Sequence, residues 1–249
     1  MKLHVALFFA GLFGALATLF ILFSFGTDYW LLATETCNSH SNGPVTKQQG
    51  DVVVNQGQDQ FSEDQNITFH HEGLFWRCSF NEIMNDDDDL WKFWFENQPH
   101  ARECKPAYLL PFPFPDQIYN TTSYQTAIIY RGFWSVSMLL GVAAVVAGGF
   151  IIICAAPFAS HRLYKAGGGL YLISGLFLLI VTVMYVFWLD VLDVISSYKD
   201  YQKLNKCPDF ELNVTYGLSF MFAPVGVFFC ILSGLLFLVI GRTVQHHYN

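Results

Sequence analysis

Charged side chains are scarce in this sequence, and their scarcity excludes an ordinary soluble domain. Only 13% of the 249 residues are charged and 53% are hydrophobic, whereas soluble domains carry roughly 25% charged residues. Four long apolar runs account for the deficit, and each reaches the roughly 20 residues that a helix needs to cross a bilayer. The runs cover residues 3–25, 127–156, 166–189 and 216–240. The sequence therefore predicts an α-helical integral membrane protein with four transmembrane helices.

The first run is too long for the core of a cleaved secretory signal. An Ala15-x-Ala17 pair offers a nominal cleavage site, but the apolar run continues through Thr18 to Phe25. A signal core of about 7–15 residues would have ended sooner. We therefore expect this helix to be retained, which places both termini on one side of the membrane.

Acidic residues are missing from both tails and from the connection between the second and third runs. These segments contain Lys2, Arg162, Lys165 and Arg242, while all 20 Asp and Glu residues lie elsewhere. Basic residues near the spans favour the cytoplasmic side. We therefore expect a plasma-membrane protein with a cytoplasmic turn at 157–165, a cytoplasmic tail at 241–249, and extracellular loops at 27–126 and 190–215.

Three glycosylation sequons agree with this orientation, because all of them fall in the predicted extracellular loops. They begin at Asn66, Asn120 and Asn213. Asn213 is the least favourable acceptor, since it lies almost at the start of the fourth run. Asn66 is the most favourable.

The middle third of each run lacks Asp, Glu, Lys, Arg and His. This absence argues against a proton relay, an intramembrane protease, a transporter site or a central ion pore. His70, His71 and Glu72 resemble metal ligands, but neighbouring strand residues point to opposite faces and cannot readily share one ion. We therefore expect no enzymatic activity, cofactor, metal, nucleic-acid partner or small-molecule substrate.

Cysteines are few, and their placement indicates an oxidising compartment for one side of the protein. Of the six, Cys37, Cys78, Cys104 and Cys207 lie in the predicted extracellular loops, an even number that allows three pairings. We favour Cys78–Cys104 within the first loop, which leaves Cys37–Cys207 to join the two loops. Cys154 lies near the cytoplasmic interface and is a minority candidate for palmitoylation.

The first extracellular loop is far too long to be a bare connection. Residues 38–65 are polar and predict a flexible insertion. Residues 73–80 predict a strand with one buried face, because Leu74, Trp76, Cys78 and Phe80 alternate with Phe75, Arg77 and Ser79. Residues 91–95 are a second aromatic strand candidate.

Several residues in or near the spans indicate contacts with the membrane interface, with the first loop or between helices. Asp28-Tyr29-Trp30 follows the first span, where aromatic rings suit the membrane interface. Arg131 lies about a turn inside the second run, and we interpret it as a latch between the helices and the first loop. The triplet 167–169 and the series Gly226, Cys230 and Gly234 predict close helix packing.

These residues together resemble a known family. Trp30, Gly73-Leu74-Phe75-x-x-Cys78, Cys104 and Arg131, on four spans with a large first loop, resemble the claudin superfamily, which includes the claudins, the myelin-type membrane proteins and the calcium-channel gamma subunits. Phe75 stands where that family has Trp, and the two cysteines are farther apart than in claudins. The resemblance implies a single claudin-like domain over residues 1–249, with a left-handed four-helix bundle and a small extracellular antiparallel β-sheet.

Longer segments resemble a muscle branch of this superfamily. Examples are Phe25-Gly-Thr-Asp-Tyr-Trp30, Ile129-Tyr-Arg-Gly-Phe-Trp134 and Leu163-Tyr-Lys-Ala-Gly-Gly-Gly169. The resemblance implies a membrane protein of muscle cells that restrains myoblast differentiation and fusion through association with integrin beta-1 or another adhesion receptor. Two alternatives stay open: a claudin-type barrier or paracellular pore, and an auxiliary subunit of a muscle calcium channel.

Overall fold

A computed structural model describes residues 2–37, 67–81, 102–107, 109, 112, 122–158 and 160–248. Most of this chain is helical. The helices are α1 (Lys2–Gly26), α2 (Thr122–Phe158), α3 (His161–Val186), the shorter α4 (Val194–Asn205) and α5 (Leu218–Tyr248). A π-helical turn, Phe187–Val191, extends α3. Four of these helical segments are long and apolar enough to cross a membrane.

The long helices extend beyond the apolar runs that predict them. α2 has 37 residues, about 55 Å at 1.5 Å per residue, whereas the hydrocarbon core is about 30 Å thick. Only two residues separate the end of α2 at Phe158 from the start of α3 at His161. The predicted turn at 157–165 is therefore helical along most of its length.

The helices pack as a chain of neighbours. α1 packs on α5, α5 on α3 and α3 on α2, whereas α1 and α2 make far fewer contacts with each other. Close contact between α3 and α5 depends on glycines, because a Cβ on Gly168 would come within 2.9 Å of the Gly234 carbonyl oxygen. A Cβ on Gly167 would come within 2.5 Å of Ile152 Cγ1 of α2, whereas nothing lies within 4 Å of a Cβ on Gly169. The predicted close packing is thus confirmed for two glycines of the triplet.

One antiparallel sheet lies at the end of the bundle where α1 ends and α5 begins. Its strands are β1 (Leu31–Cys37), β2 (Ile67–Glu72), β3 (Trp76–Asn81), β4 (Glu103–Pro106) and β5 (Phe210–Tyr216), in the order β4-β3-β2-β1-β5. Leu31 is the partner of both Glu72 and Tyr216. The sheet therefore joins strands from the first and second connections, and the predicted helical fold with a small antiparallel sheet is confirmed.

The strand predicted over 73–80 is wrong at its first three residues. Gly73, Leu74 and Phe75 form the turn between β2 and β3, and Gly73 N–H donates to the Trp76 carbonyl. Trp76 was expected on the buried face but is 47% exposed. Alternation continues across a tight turn, so the pattern could not mark where one strand ended and the next began.

Several predictions fall outside the described residues. These are the insertion at 38–65, the strand candidate at 91–95, and the sequons at Asn66 and Asn120.

Candidate functional site

A buried carboxylate on an interior strand of the sheet connects four elements. Glu35 of β1 is only 4% exposed, and His70 Nε2 of β2 lies 3.1 Å from its Oε1. From α4, the Tyr198 hydroxyl donates to Oε1 at 2.9 Å. Lys206, directly after α4, donates to Oε2 at 2.9 Å. With Arg77 of β3, 3.6 Å from Oε1, these residues form what we call the Glu35 cluster.

The electrostatics of Glu35 are decided by its neighbours rather than by its burial. Loss of water around the carboxylate tends to raise its pKa. Contacts with His70, Lys206 and Tyr198 outweigh that effect and lower the pKa from 4.5 to about 2. Glu35 is therefore ionised at neutral pH, and its negative charge binds α4 to the sheet.

Arg77 links this cluster to a second buried acid. Its guanidinium lies over the rings of Phe112 and Tyr198, 5.4 Å and 5.2 Å from their centroids, and donates to the Tyr198 hydroxyl at 3.0 Å. Nε lies 3.9 Å from Glu72 Oε2. Burial tends to lower the pKa of Arg77, but Glu72, Tyr198 and Glu35 together raise it. The arginine is thus held as a cation between two acids and two aromatic rings.

Glu72 is more deeply buried than Glu35 and has fewer partners. Its Oε1 accepts the backbone N–H of Phe112 at 3.2 Å, at a residue with φ of 49°. Burial raises the pKa of this carboxyl, although Arg77 and the Phe112 N–H oppose the effect. Glu72 therefore helps to fix Phe112 over Arg77.

Two disulfides reinforce the same region. The structure joins Cys37 to Cys207, with Cα atoms 6.2 Å apart, and Cys78 to Cys104, with Cα atoms 4.0 Å apart. The first crosses from β1 to the chain after α4, next to Lys206. The second joins β3 to β4, where the two cysteines are direct partners in the register.

The motif residues occupy distinct positions. Trp30 is not an interfacial ring: it is fully buried, its Nε1 donates to the Ser24 carbonyl at 2.7 Å, and it packs on Tyr185. Gly73 is required by space, since a Cβ would come within 2.5 Å of Asp28 Cα. Leu74 is in the core, whereas Phe75 is 43% exposed.

Other predicted positions lie apart from the Glu35 cluster. Arg131 is exposed, and within the described part of the chain its guanidinium has no ion-pair partner, so the latch stays a prediction. Cys154 is half-buried and free. Asn213 is exposed on β5. His70 and His71 contact different groups, Glu35 and the Asp28 carbonyl.

Glu35, Arg77, Tyr198 and Lys206 were missed by sequence reasoning. The signal was present in β1, where Leu31, Ala33 and Glu35 are two residues apart and share the buried face. An acid at such a position needs a partner. The strand itself was not recognised, so the acid was not either.

Comparison with known proteins agrees with this architecture. The model of the PMP-22/EMP/MP20/Claudin tight junction family matches residues 15–239. The chain belongs to this claudin family. It is 83% identical to Transmembrane protein 182 of Danio rerio over 249 residues, covering all of both chains. It is 49% identical to Transmembrane protein 182 of Homo sapiens over 251 residues, again with full coverage of both.

The claudin family fits the arrangement of motif residues in this chain. The chain is also 49% identical to Transmembrane protein 182 of Gallus gallus over 245 residues, covering 98% of both chains. The resemblance inferred from the motif is thus confirmed. These findings and the four candidate spans together show that the chain is a multi-pass membrane protein with disulfide bonds.

Proposed function

We propose that this chain is a non-enzymatic regulatory protein of the muscle-cell plasma membrane, which restrains myoblast differentiation and fusion by associating with integrin beta-1. The observation that supports it best is the rigid unit at the sheet end of the bundle. Strands from one connection and α4 from another are held together there by Cys37–Cys207 and by the Glu35 cluster. Such a surface suits recognition of a partner by contact.

The proposal includes an orientation and a division of the chain. Both termini are cytoplasmic, as is the turn at 157–165, and the connections at 27–126 and 190–215 are extracellular. The distribution of charge and of the three sequons supports this assignment. If it is right, glycosidase treatment of protein from intact cells lowers its apparent mass, and Asn66→Gln removes part of that change. An unglycosylated protein whose residue 66 is open only to cytosolic reagents would reverse the orientation.

Surface crosslinking in differentiating myoblasts tests the partner. The tagged full-length chain should recover integrin beta-1, and its overexpression should reduce the number of nuclei in fused cells. The double variant Cys37→Ser/Cys207→Ser should recover less integrin, because α4 is no longer covalently tied to the sheet. Glu103→Ala is the matched control, since its ion pair with Lys105 is almost fully exposed. Recovery of no adhesion receptor by the wild-type chain would refute the proposal.

A claudin-type barrier or paracellular pore is the second candidate. It is favoured by the family description, which includes tight junctions, and by the concentration of acidic residues in the predicted extracellular loops. An acidic surface favours cations over anions. Expression in an epithelial monolayer should then alter transepithelial resistance and cation selectivity, whereas the integrin-associated regulator should leave both unchanged.

A further inference from the structure

The end of the bundle opposite the sheet contains an apolar cluster to which all four long helices contribute. Ala10 of α1, Ala155 of α2, Tyr164 of α3 and Ile240 of α5 are buried together there. α1 and α3 begin at this end, whereas α2 and α5 end at it. Residues that flank the cluster in the sequence are therefore gathered around one small area of the surface.

Three cations of α3 and α5 lie at this end and form what we call the basic patch: Arg162, Lys165 and Arg242. Lys165 meets α5, because a Cβ on Gly241 would come within 2.8 Å of Lys165 Cγ, and its Nζ donates to Gln245 Oε1. Arg162 is three residues before Lys165 and shares its side of α3, while Arg242 directly follows Gly241. Both arginines are exposed. The lysine is thus held between two helices, each of which adds an exposed arginine.

The basic patch lies at the depth of the phospholipid headgroups. Arg162 and Lys165 precede the apolar run that begins at residue 166, and Arg242 follows the run that ends at residue 240. At 1.5 Å per helical residue, all three backbone positions are within roughly 6 Å of these runs. The headgroup layer on each side of the hydrocarbon is about 5–8 Å thick. In a membrane these cations therefore face lipid phosphates and their substituents.

The protein itself supplies no acid to offset the basic patch. The four long helices contain no Asp or Glu along their whole length. Within the described residues, every ion pair lies at the sheet end of the molecule, and none includes a cation of the patch. The Lys165 ammonium has three donors, of which Gln245 takes one. The ligand that complements the patch is therefore an anion with oxygen acceptors.

We propose that the basic patch binds the headgroup of an acidic phospholipid, in the leaflet that surrounds this end of the bundle. The lipid phosphate accepts from Lys165, and the two arginines offer paired N–H donors to the remaining oxygens. Basic pockets between membrane helices bind such headgroups, and each cation near the surface contributes about fivefold to the affinity. Such binding requires only that the helices span a bilayer, so it depends neither on the proposed partner nor on the side that the termini face.

Native mass spectrometry of the full-length protein in mild detergent, titrated with one lipid at a time, tests this site. The wild type should bind phosphatidylserine at least about 25-fold more tightly than phosphatidylcholine. Arg162→Gln/Arg242→Gln should weaken phosphatidylserine binding by roughly 25-fold, fivefold for each charge, and leave phosphatidylcholine binding unchanged. Lys199→Gln/Lys203→Gln is the matched control, because it removes two cations from α4, and it should change neither affinity.

A second measurement uses only the wild type, so it does not depend on how the variants fold. In nanodiscs, replacing phosphatidylcholine by phosphatidylserine should slow amide exchange clearly in residues 161–165 and 241–246 but not in α4. Equal affinity for the two lipids, an equal loss in the two double variants, or identical exchange in both kinds of nanodisc would overturn the proposal. Displacement of the bound lipid by inorganic phosphate would also overturn it, because the patch would then be a site for free anions.

Discussion

At the scale of single residues, the Glu35 cluster shows why one acid can hold two connections together. Burying a lone carboxylate costs several kcal/mol, and the cost is offset only when the remaining lone pairs are satisfied. Glu35 meets His70, Tyr198 and Lys206 directly and Arg77 at longer range. Because these partners come from separate elements, the carboxylate stabilises only their assembled arrangement.

Removing this carboxylate should destabilise the sheet end strongly. We expect Glu35→Ala to lower the free energy of unfolding by about 3–5 kcal/mol, because Arg77 is left buried beside fewer acids. Thermal unfolding of the protein in detergent measures the effect. Glu103→Ala is the control and should change stability by about 0–1 kcal/mol, since its pair with Lys105 is exposed. Equal effects of the two variants would contradict the assigned role.

The lowered pKa of Glu35 also predicts a defined acid sensitivity. A carboxyl whose pKa is depressed in the folded state contributes stability above its unfolded value, and that stability is lost as the pH falls through the folded value. For Glu35 the loss spans about pH 4.5 to about 2. Glu72 acts in the opposite sense, because burial raises its pKa. Its protonation therefore favours the folded state as the pH falls.

Melting temperatures measured from pH 7 to pH 2.5 test whether Glu35 titrates in this way. The wild type should keep its Glu35 contribution down to about pH 4.5 and then lose stability. The melting temperature of Glu35→Gln should be lower than that of the wild type at pH 7, and it should decline less below pH 4.5. If both proteins decline in parallel, Glu35 does not titrate as the contacts around it require.

At the scale of elements, α4 depends on contacts that come from the sheet. It has 12 residues, which is marginal for an isolated helix in water. Tyr198 binds Glu35, and Cys207 just beyond the helix is bonded to Cys37. We therefore regard α4 as the element that is most sensitive to loss of this disulfide.

Hydrogen exchange of the two disulfide variants tests that dependence. Cys37→Ser/Cys207→Ser should accelerate amide exchange in Val194–Asn205 at least tenfold, equivalent to about 1.4 kcal/mol of local opening. Exchange within the long helices should stay unchanged. Cys78→Ser/Cys104→Ser is the matched control, and it should loosen β3 and β4 but not α4. Identical exchange maps for the two variants would show that the disulfides do not act locally.

The elements differ in how far sequence could predict them. The four long helices follow from hydrophobic runs, because a bilayer imposes a length and composition that local sequence must satisfy. β1 and β5 each have seven residues and pair with one another although the second and third spans lie between them in the sequence, with Leu31 opposite Tyr216. No local pattern encodes such a pairing. The alternation in β1 could have revealed Glu35 as a buried acid, but its partners could not be predicted, since they meet it only after β1, β2, β3 and α4 have assembled.

At the scale of the whole molecule, the bundle determines the geometry of the sheet. β1 begins at Leu31, shortly after α1 ends at Gly26, and β5 ends at Tyr216, two residues before α5 begins at Leu218. The Gly217 N–H donates to the Trp30 carbonyl, and the Ser219 N–H donates to the Tyr29 carbonyl. The packing of α1 on α5 is thus transmitted directly to β1 and β5.

A single position between α3 and α5 should therefore affect the entire fold. In Gly168→Leu, the added Cβ would lie 2.9 Å from the Gly234 carbonyl oxygen and 3.0 Å from Phe237 Cβ, so the two backbones must separate. We expect the free energy of unfolding to fall by about 1–3 kcal/mol, the usual cost of overpacking. Amide exchange in β1 and β5 should also become faster. Gly169→Leu is the control in the adjacent residue, because nothing lies within 4 Å of its Cβ. Thermal unfolding together with hydrogen exchange at β1 and β5 measures both effects. If Gly168→Leu destabilises α3 and α5 but leaves exchange in β1 and β5 at the wild-type rate, the bundle and the sheet are independent units, and the coupling through Trp30 and Gly217 does not exist.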